Sequence, residues 1–346
     1  MKPYLAVSSV ILVLLVFNAC DKGPEIYVPT PYELEIPAGF PAPLIPADNP
    51  MTVEKVELGK KLFYDPNLSA DGTVSCASCH FPDRGFADTV SLSKGFEGRL
   101  GGRNAMSLTN IAYAQSLFWD GGVDNLEDQA LHPIIDEREM AADPADILSY
   151  LNGDAAYYEM FDQAFGGPAT ILAVVNSLAS FERTLLSGNS PYDRHIAGDV
   201  TALSESAKRG LALFNTERAE CFHCHTGYNF TDESFQNNGL YEYAEFIAKG
   251  DGGRAEITGR QLDEHLFKTP TLRNIELTAP YMHDGSLATL EDVLDRYASV
   301  NSRFHPNKND IFFANMAIDE QDKADLVAFL KSLTDDEFSN NPAFRP

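Results

Sequence analysis

Two short stretches constrain this chain more than any others: Cys76-Ala77-Ser78-Cys79-His80 and Cys221-Phe222-His223-Cys224-His225. A lone C-x-x-C is equally a redox dithiol or half a zinc site. With a histidine directly after the second cysteine it is the attachment signature of a c-type haem: two thiols form thioethers with the vinyl groups, and the imidazole is held within reach of the iron. Four of the five cysteines lie in these motifs, which leaves none for a disulfide framework or a zinc ribbon. The chain must therefore build two haem pockets.

The sequence around the motifs repeats. Gly59…Phe63 before the first corresponds to Gly210…Phe214 before the second. Ser107-Leu108-Thr109-Asn110-Ile111 corresponds to Thr271-Leu272-Arg273-Asn274-Ile275, and Leu126-Glu127-Asp128 to Leu290-Glu291-Asp292. Trp119-Asp120-Gly121 and His283-Asp284-Gly285 each begin nine residues beyond the matching asparagine. Ala179-Ser180-Phe181 pairs with Val327-Ala328-Phe329 in the closing helices. No stretch alternates with period two, so the expected fold is mostly α: two cytochrome c-like haem domains from an internal duplication, with little sheet. We divide the chain into a leader (1–20), a Pro-rich tether (21–50), an N-terminal domain (51–199) and a C-terminal domain (200–346).

The leader has Lys2, then the apolar run Val10–Phe17, then Cys20. That is signal-peptide length, and Phe17-Asn18-Ala19-Cys20 resembles a bacterial lipoprotein cleavage box, the alternative being an ordinary cleaved signal. Either way the protein is exported to the periplasm or cell envelope, with the membrane touched only through a lipid on Cys20. Eight prolines between Pro24 and Pro50 favour extended chain, its last part lying on the protein surface. The 346 residues carry a net charge of −25, with 51 acidic and 26 basic residues. This excludes nucleic acid, whose phosphates need Lys and Arg, and suits a basic protein partner as well as plain solubility.

Helices are expected from Thr52 to Asp65-Pro66, over Asn125–Leu131, over Pro144–Leu151 and over Thr170–Leu186, the last with Ile171, Val174, Val175, Leu178, Phe181 and Leu185 on one stripe. Residues 84–105 read as a long loop.

His80 and His225 each supply one iron ligand, so the opposite faces decide function. Aligning Trp119 with His283 sets Pro133 opposite Tyr297. Proline has no side-chain donor, whereas a tyrosine can bind ferric iron. The first haem is then open and the second closed, unless Tyr297 is a packing residue and Met282, Met316 or His305 is the ligand. An open haem needs an acid–base group. Glu139 lies six residues past Pro133, and Gln129 one helical turn before it. His132 reads as structural. Trp119, the only tryptophan, could carry an electron between the haems.

Gly102-Arg103-Asn104, Phe118-Trp119-Asp120-Gly121, Leu126-Glu127-Asp128-Gln129-Ala130, Glu139-Met140 and Pro270-Thr271-Leu272-Arg273-Asn274 through His283-Asp284-Gly285 resemble the bacterial di-haem cytochrome c peroxidases and the related MauG proteins, over residues 50 to 335. The resemblance implies that Trp119 is the inter-haem tryptophan and that Gln129 and Glu139 are the distal glutamine and catalytic glutamate. It implies a calcium ion held by Asn104 and by the backbone of Thr278 and Pro280. It also implies hydrogen peroxide as substrate, a small cytochrome c or cupredoxin as electron donor, and allows a homodimer. Two departures stand out. The loop from Phe81 to Arg103 has no histidine to cap the first iron, and Phe96 stands about where one is expected. Tyr297 takes the place of the usual methionine, as in MauG. The expected activity is therefore peroxide reduction. The alternatives are a MauG-like oxidase that modifies a partner protein, and a carrier with two six-coordinate haems.

Overall fold

The computed structural model describes residues 28–309, 311 and 316–346. Cys20 and the apolar run before it lie outside the described residues. Among the described residues no helix is long and apolar enough to cross a membrane.

Each half is built on one helix crossing. In the first, α1 (Val53–Phe63) packs on α5 (Ile171–Glu182), with α2 (Leu126–Ile135), α3 (Pro144–Gly153) and α4 (Ala155–Phe165) around them. In the second, α7 (Glu205–Phe214) packs on α11 (Glu320–Lys331), with α10 (Leu290–Ala298) beside them. Short helices α6 (Pro191–Ile196), α8 (Tyr243–Lys249), α9 (Ala255–Thr258) and α12 (Asp336–Ser339) complete the set. Sheet is limited among the described residues to β1 (Phe235–Gln236) and β2 (Phe267–Lys268), paired antiparallel.

The repeated glycines explain the crossings. A Cβ on Gly59 would stand 1.8 Å from the Ser177 carbonyl oxygen, and one on Gly210 would stand 1.9 Å from that of Asp325. Only glycine lets these backbones approach so closely. Phe63 then meets Phe181 edge-on at 5.3 Å, and Phe214 meets Phe329 at 5.1 Å. Asn110 and Asn274 both adopt φ of 58° in the left-handed region, which asparagine tolerates. Their amide nitrogens reach Leu185 and Leu333, matching positions after the closing helices.

The helices begin where their caps are. Thr52 accepts from Lys55 N at the start of α1, Asn125 from Asp128 N at α2, Thr170 from Ala173 N at α5 and Thr289 from Asp292 N at α10. Helix α2 runs past Leu131 to Ile135 with Pro133 inside it. Helix α5 ends at Glu182, earlier than its apolar stripe suggests, although Leu185 is still fully buried.

Two large cores result, and the chain crosses between them. Phe338 and Phe344, from the C-terminal end, pack on Phe86 in the first core. Tyr192 packs into the second core, and Asp193 pairs with the buried Arg273. Residues 28–50 lie along the body: Tyr32 N bonds Met51 O, Phe40 packs on Tyr113 and Tyr228, and buried Asn49 bonds Glu127 and Asn176.

Candidate active site

Each C-x-x-C-H motif forms a 3₁₀ turn that sets both thiols and the histidine on one cavity wall. His80 Nδ1 donates to Phe86 O at 2.7 Å, and His225 Nδ1 to Phe230 O at 3.0 Å. This arrangement fixes the tautomer and leaves Nε2 as the metal-binding nitrogen. Burial pushes both histidines below their usual pKa, which keeps them neutral as a ligand must be. The four motif cysteines form no disulfide with one another.

The first cavity has a volume of about 670 Å³ and is lined by Cys76, Cys79 and His80 on one side and by Gln129, Pro133 and Glu139 on another. Helix α2 turns Gln129, His132 and Pro133 toward it, with Asp136 at its C-cap, while Leu126 and Ile134 go to the core, as 3.6-residue spacing requires. Beyond the helix a tight turn presents Glu139: its N–H donates to Asp136 O, and Met140 N donates to Pro133 O, each at 3.0 Å. Enclosure by the surrounding protein pushes the Glu139 carboxyl above its ordinary pKa; Asp136 adds to the rise and Arg138 opposes it. The histidine-free loop braces this turn from outside. Phe96 N bonds Glu139 O at 2.6 Å, and Gly95 sits where a Cβ would strike the Arg138 carbonyl. The Phe96 ring lies under the Arg99 guanidinium, 5.2 Å from it, and is not part of the cavity wall.

The second cavity is smaller, about 240 Å³. Helix α10 turns Leu290, Val293, Leu294 and Tyr297 into it, facing the wall of Cys221, Cys224 and His225. Asn238 Nδ2 stands 3.4 Å from both Tyr297 Oη and Met282 Sδ, and Met316 shares the lining. Burial pushes the Tyr297 hydroxyl up to about 12. His305 belongs elsewhere: it is buried and bonds His265 at 2.7 Å.

Trp119 lines both cavities. Its indole N–H donates to Asn104 O at 2.9 Å, and its own carbonyl accepts from Lys268 N of β2 at 2.8 Å. Asn104, Thr278 and Pro280 share the wall of the second cavity. The Asn104 amide nitrogen donates to the Val90 and Ser91 carbonyls, so its oxygen faces the other way. Oxygen donors of this kind suit calcium.

Known sequences and structures place the chain in a family. The chain is 37% identical over 325 residues to the methylamine utilization protein MauG of Methylophilus methylotrophus, covering 93% of this chain and 94% of that one. The chain belongs to the di-haem cytochrome c peroxidase and MauG family. The family's sequence model, described as di-haem cytochrome c peroxidase, matches residues 53–201. The cytochrome c551 peroxidase of Nitrosomonas europaea is 35% identical over 301 residues, 87% of this chain and 86% of its own. A crystal structure of a MauG-like protein associated with microbial copper homeostasis superposes with a TM-score of 0.84 at 36% identity, over 90% of this chain and 98% of that one.

As a member of the di-haem family the protein is an oxidoreductase with two haems, and the paired thiols, oriented imidazoles and enclosed cavities fit that requirement. The sequence did not reveal how the tryptophan turn is clamped. Arg103 bonds Asp120 at 2.5 Å and forks onto Asp251 at 2.9 and 2.7 Å. Arg254 donates to the carbonyls of Asp120 and Gly121 at 2.8 and 2.9 Å. Gly121, with φ of 68°, leaves room for that guanidinium, which a Cβ would meet at 2.3 Å. The acidic excess hid these pairs, because an Arg at one position has no periodic relation to an Asp some 150 residues away.

Proposed function

We propose that the protein is a peroxidase that reduces hydrogen peroxide with two electrons and two protons to two water molecules, at the cavity of His80. The observation that supports this most is that Gln129, Pro133 and Glu139 line the same cavity as His80. When bound, the haem iron supplies a Lewis-acid site for one peroxide oxygen and electrons for its reduction. Pro133 offers no donor to that face. Glu139 takes the proton from the inner peroxide oxygen and gives it to the outer one, which leaves as water. The raised Glu139 pKa brings the group closer to neutral pH, where both directions of transfer are accessible. Gln129 supplies an amide to orient the oxygens. Trp119 carries electrons between the cavities, since it lines both.

On this reading the units 51–199 and 200–346 have different duties. His225 and Tyr297 bind the electron-transfer haem, and calcium at Asn104, Thr278 and Pro280 ties the halves together. The protein works in the periplasm or envelope, held by a lipid on Cys20, with a small cytochrome c or cupredoxin as donor. The deciding experiment is steady-state peroxide consumption by the full chain with a reduced small cytochrome c. Turnover in the cytochrome's presence supports the proposal, and oxidation of the cytochrome that does not depend on peroxide would count against it.

Two observations favour a second reading. Tyr297 lines the second cavity, and the Phe81–Arg103 loop carries no histidine. Both features suit a MauG-like oxidase acting on a partner protein. Such a protein would consume peroxide only slowly with cytochrome c and would oxidise side chains of its partner.

A further inference from the structure

The first cavity contains an acid that the proposed reaction does not use. Glu182 ends α5, is only 5% exposed, and lines the cavity with Cys76, His80 and Glu139. Its Oε2 is buried without a hydrogen-bond partner. The next residue does not neutralise it, because the Arg183 guanidinium is committed to both oxygens of Glu127, at 2.7 and 2.9 Å. The duplication supplies a control. Ser177 and Phe181 of α5 correspond to Asp325 and Phe329 of α11 by their contacts with Gly59 and Gly210. Glu182 therefore corresponds to Leu330, which lines the second cavity. Packing at this helical position is satisfied by an isobutyl group, so a carboxyl here has another reason.

We infer that Glu182 is a second acid of the first cavity, holding a proton whose release is coupled to the charge of the haem attached at Cys76 and Cys79. Loss of one electron from that haem, when bound, to an oxidant such as peroxide or a redox mediator would leave the site with one more positive charge. Glu182 then loses its proton to water in the cavity and its carboxylate compensates that charge; reduction returns both. The stated geometry agrees with the group's acidity, which burial pushes to about 8, with Glu127 adding to the rise and Arg183 opposing it. The groups facing Glu182 are Arg183 on its own helix and Glu127 on α2, with Lys55 of α1 behind them. The same cavity is lined by Cys76, whose thiol Glu182 helps to push up, and by His80, His132, Asp136, Glu139, Arg103 and Arg138. Glu139 sits on the turn after α2 and serves peroxide, whereas Glu182 sits on α5 and serves the haem's charge.

The inference rests on the first cavity holding a haem and not on the identity of the substrate. It is tested by measuring the midpoint potential of that haem in the full holoprotein from pH 5 to 9, by optical titration with redox mediators. The native potential should fall as pH rises, most steeply toward the alkaline end. In E182Q, and in E182L, which copies Leu330, that fall should shrink by at least about half, while E139Q should retain it. Haem content and circular dichroism establish that each variant is folded. An equal pH dependence in native protein, E182Q and E182L would overturn the inference, as would its loss in E139Q alone. Peroxide turnover plays no part in the readout, so a failed peroxidase assay leaves this result standing on its own.

Discussion

Helices α2 and α10 start from equivalent caps, Asn125 and Thr289, and lie over their haem cavities in the same register. At the first pair of cavity-facing positions α2 presents Gln129 and α10 presents Val293; at the next, Pro133 stands against Tyr297. The closing helices add a third difference, Glu182 against Leu330. The first cavity is larger and carries Gln129 and Glu182 where the second, smaller one carries Val293 and Leu330, and the second has a phenol in its wall. Two copies of one backbone have diverged by a handful of side chains, and on the proposed function one becomes a place for chemistry and the other a place for storing an electron. The lesson is that the frame, set by helix crossings and glycines, is separable from the function, set by one helical stripe.

Replacing the proposed acid–base residue of the first cavity should break this asymmetry most. Glu139→Gln should lower peroxide turnover by about 10²–10⁴-fold with both haems still attached, the range for a lost general acid–base group. Native turnover should also rise with pH through a value above that of an ordinary glutamate, because burial raises the Glu139 pKa and the group must first accept a proton. A variant with native turnover would remove Glu139 from the mechanism.

The symmetry of the frame can be tested next. Gly59→Ala and Gly210→Ala each force a Cβ onto a helix carbonyl, and each should destabilise its own half by about 3 kcal/mol or more. Thermal melts followed at both haem bands should show similar losses; a large loss in one and none in the other would mean that the crossings are not equivalent.

Trp119→Phe keeps the packing between the cavities but removes the indole N–H bond to Asn104 and the easier one-electron oxidation of indole. Electron delivery to the first haem should slow by about tenfold or more, on the order of 1.4 kcal/mol in the barrier, while reduction of the second haem by its donor is unchanged. Stopped-flow spectra at the two haem bands separate the steps, and equal rates would argue that electrons pass elsewhere.

The smallest effect belongs to the second cavity. Tyr297→Phe should change the spectrum of the low-spin haem and raise its potential, because a phenolate stabilises ferric iron. Met282 and Met316 line the same cavity, so an unaltered spectrum would assign the ligand to one of them.

Much of this was legible in the sequence because it is local or periodic. The C-x-x-C-H motifs, the Thr52 and Asn125 caps and the amphipathic stripe of α5 each depend on residues within a turn or two. The duplication was legible as well, and it carried the one long-range inference available, Pro133 against Tyr297. Other features were not visible. The helix expected over Asn125–Leu131 continues as α2 to Ile135 through Pro133, since a proline near the last turn forfeits one hydrogen bond and the cavity face is kept. Helix α4 was missed, although Asp154 caps it and Tyr157 and Phe161 bury its inner face. Glu182 carries no local or periodic signal that sets it apart from the other acids of the chain.

The sequence by itself determined that the chain carries two C-x-x-C-H haem motifs, that the halves repeat, and which residue types stand at matching positions. The tertiary structure alone decided that Trp119 touches both cavities, that the histidine-free loop braces Glu139 from behind, and that Glu182 points inward without a partner. Those properties depend on the separation and enclosure of groups far apart in the chain. Burial and desolvation, which set the acidity of Glu139 and Glu182, exist only once the helices have crossed.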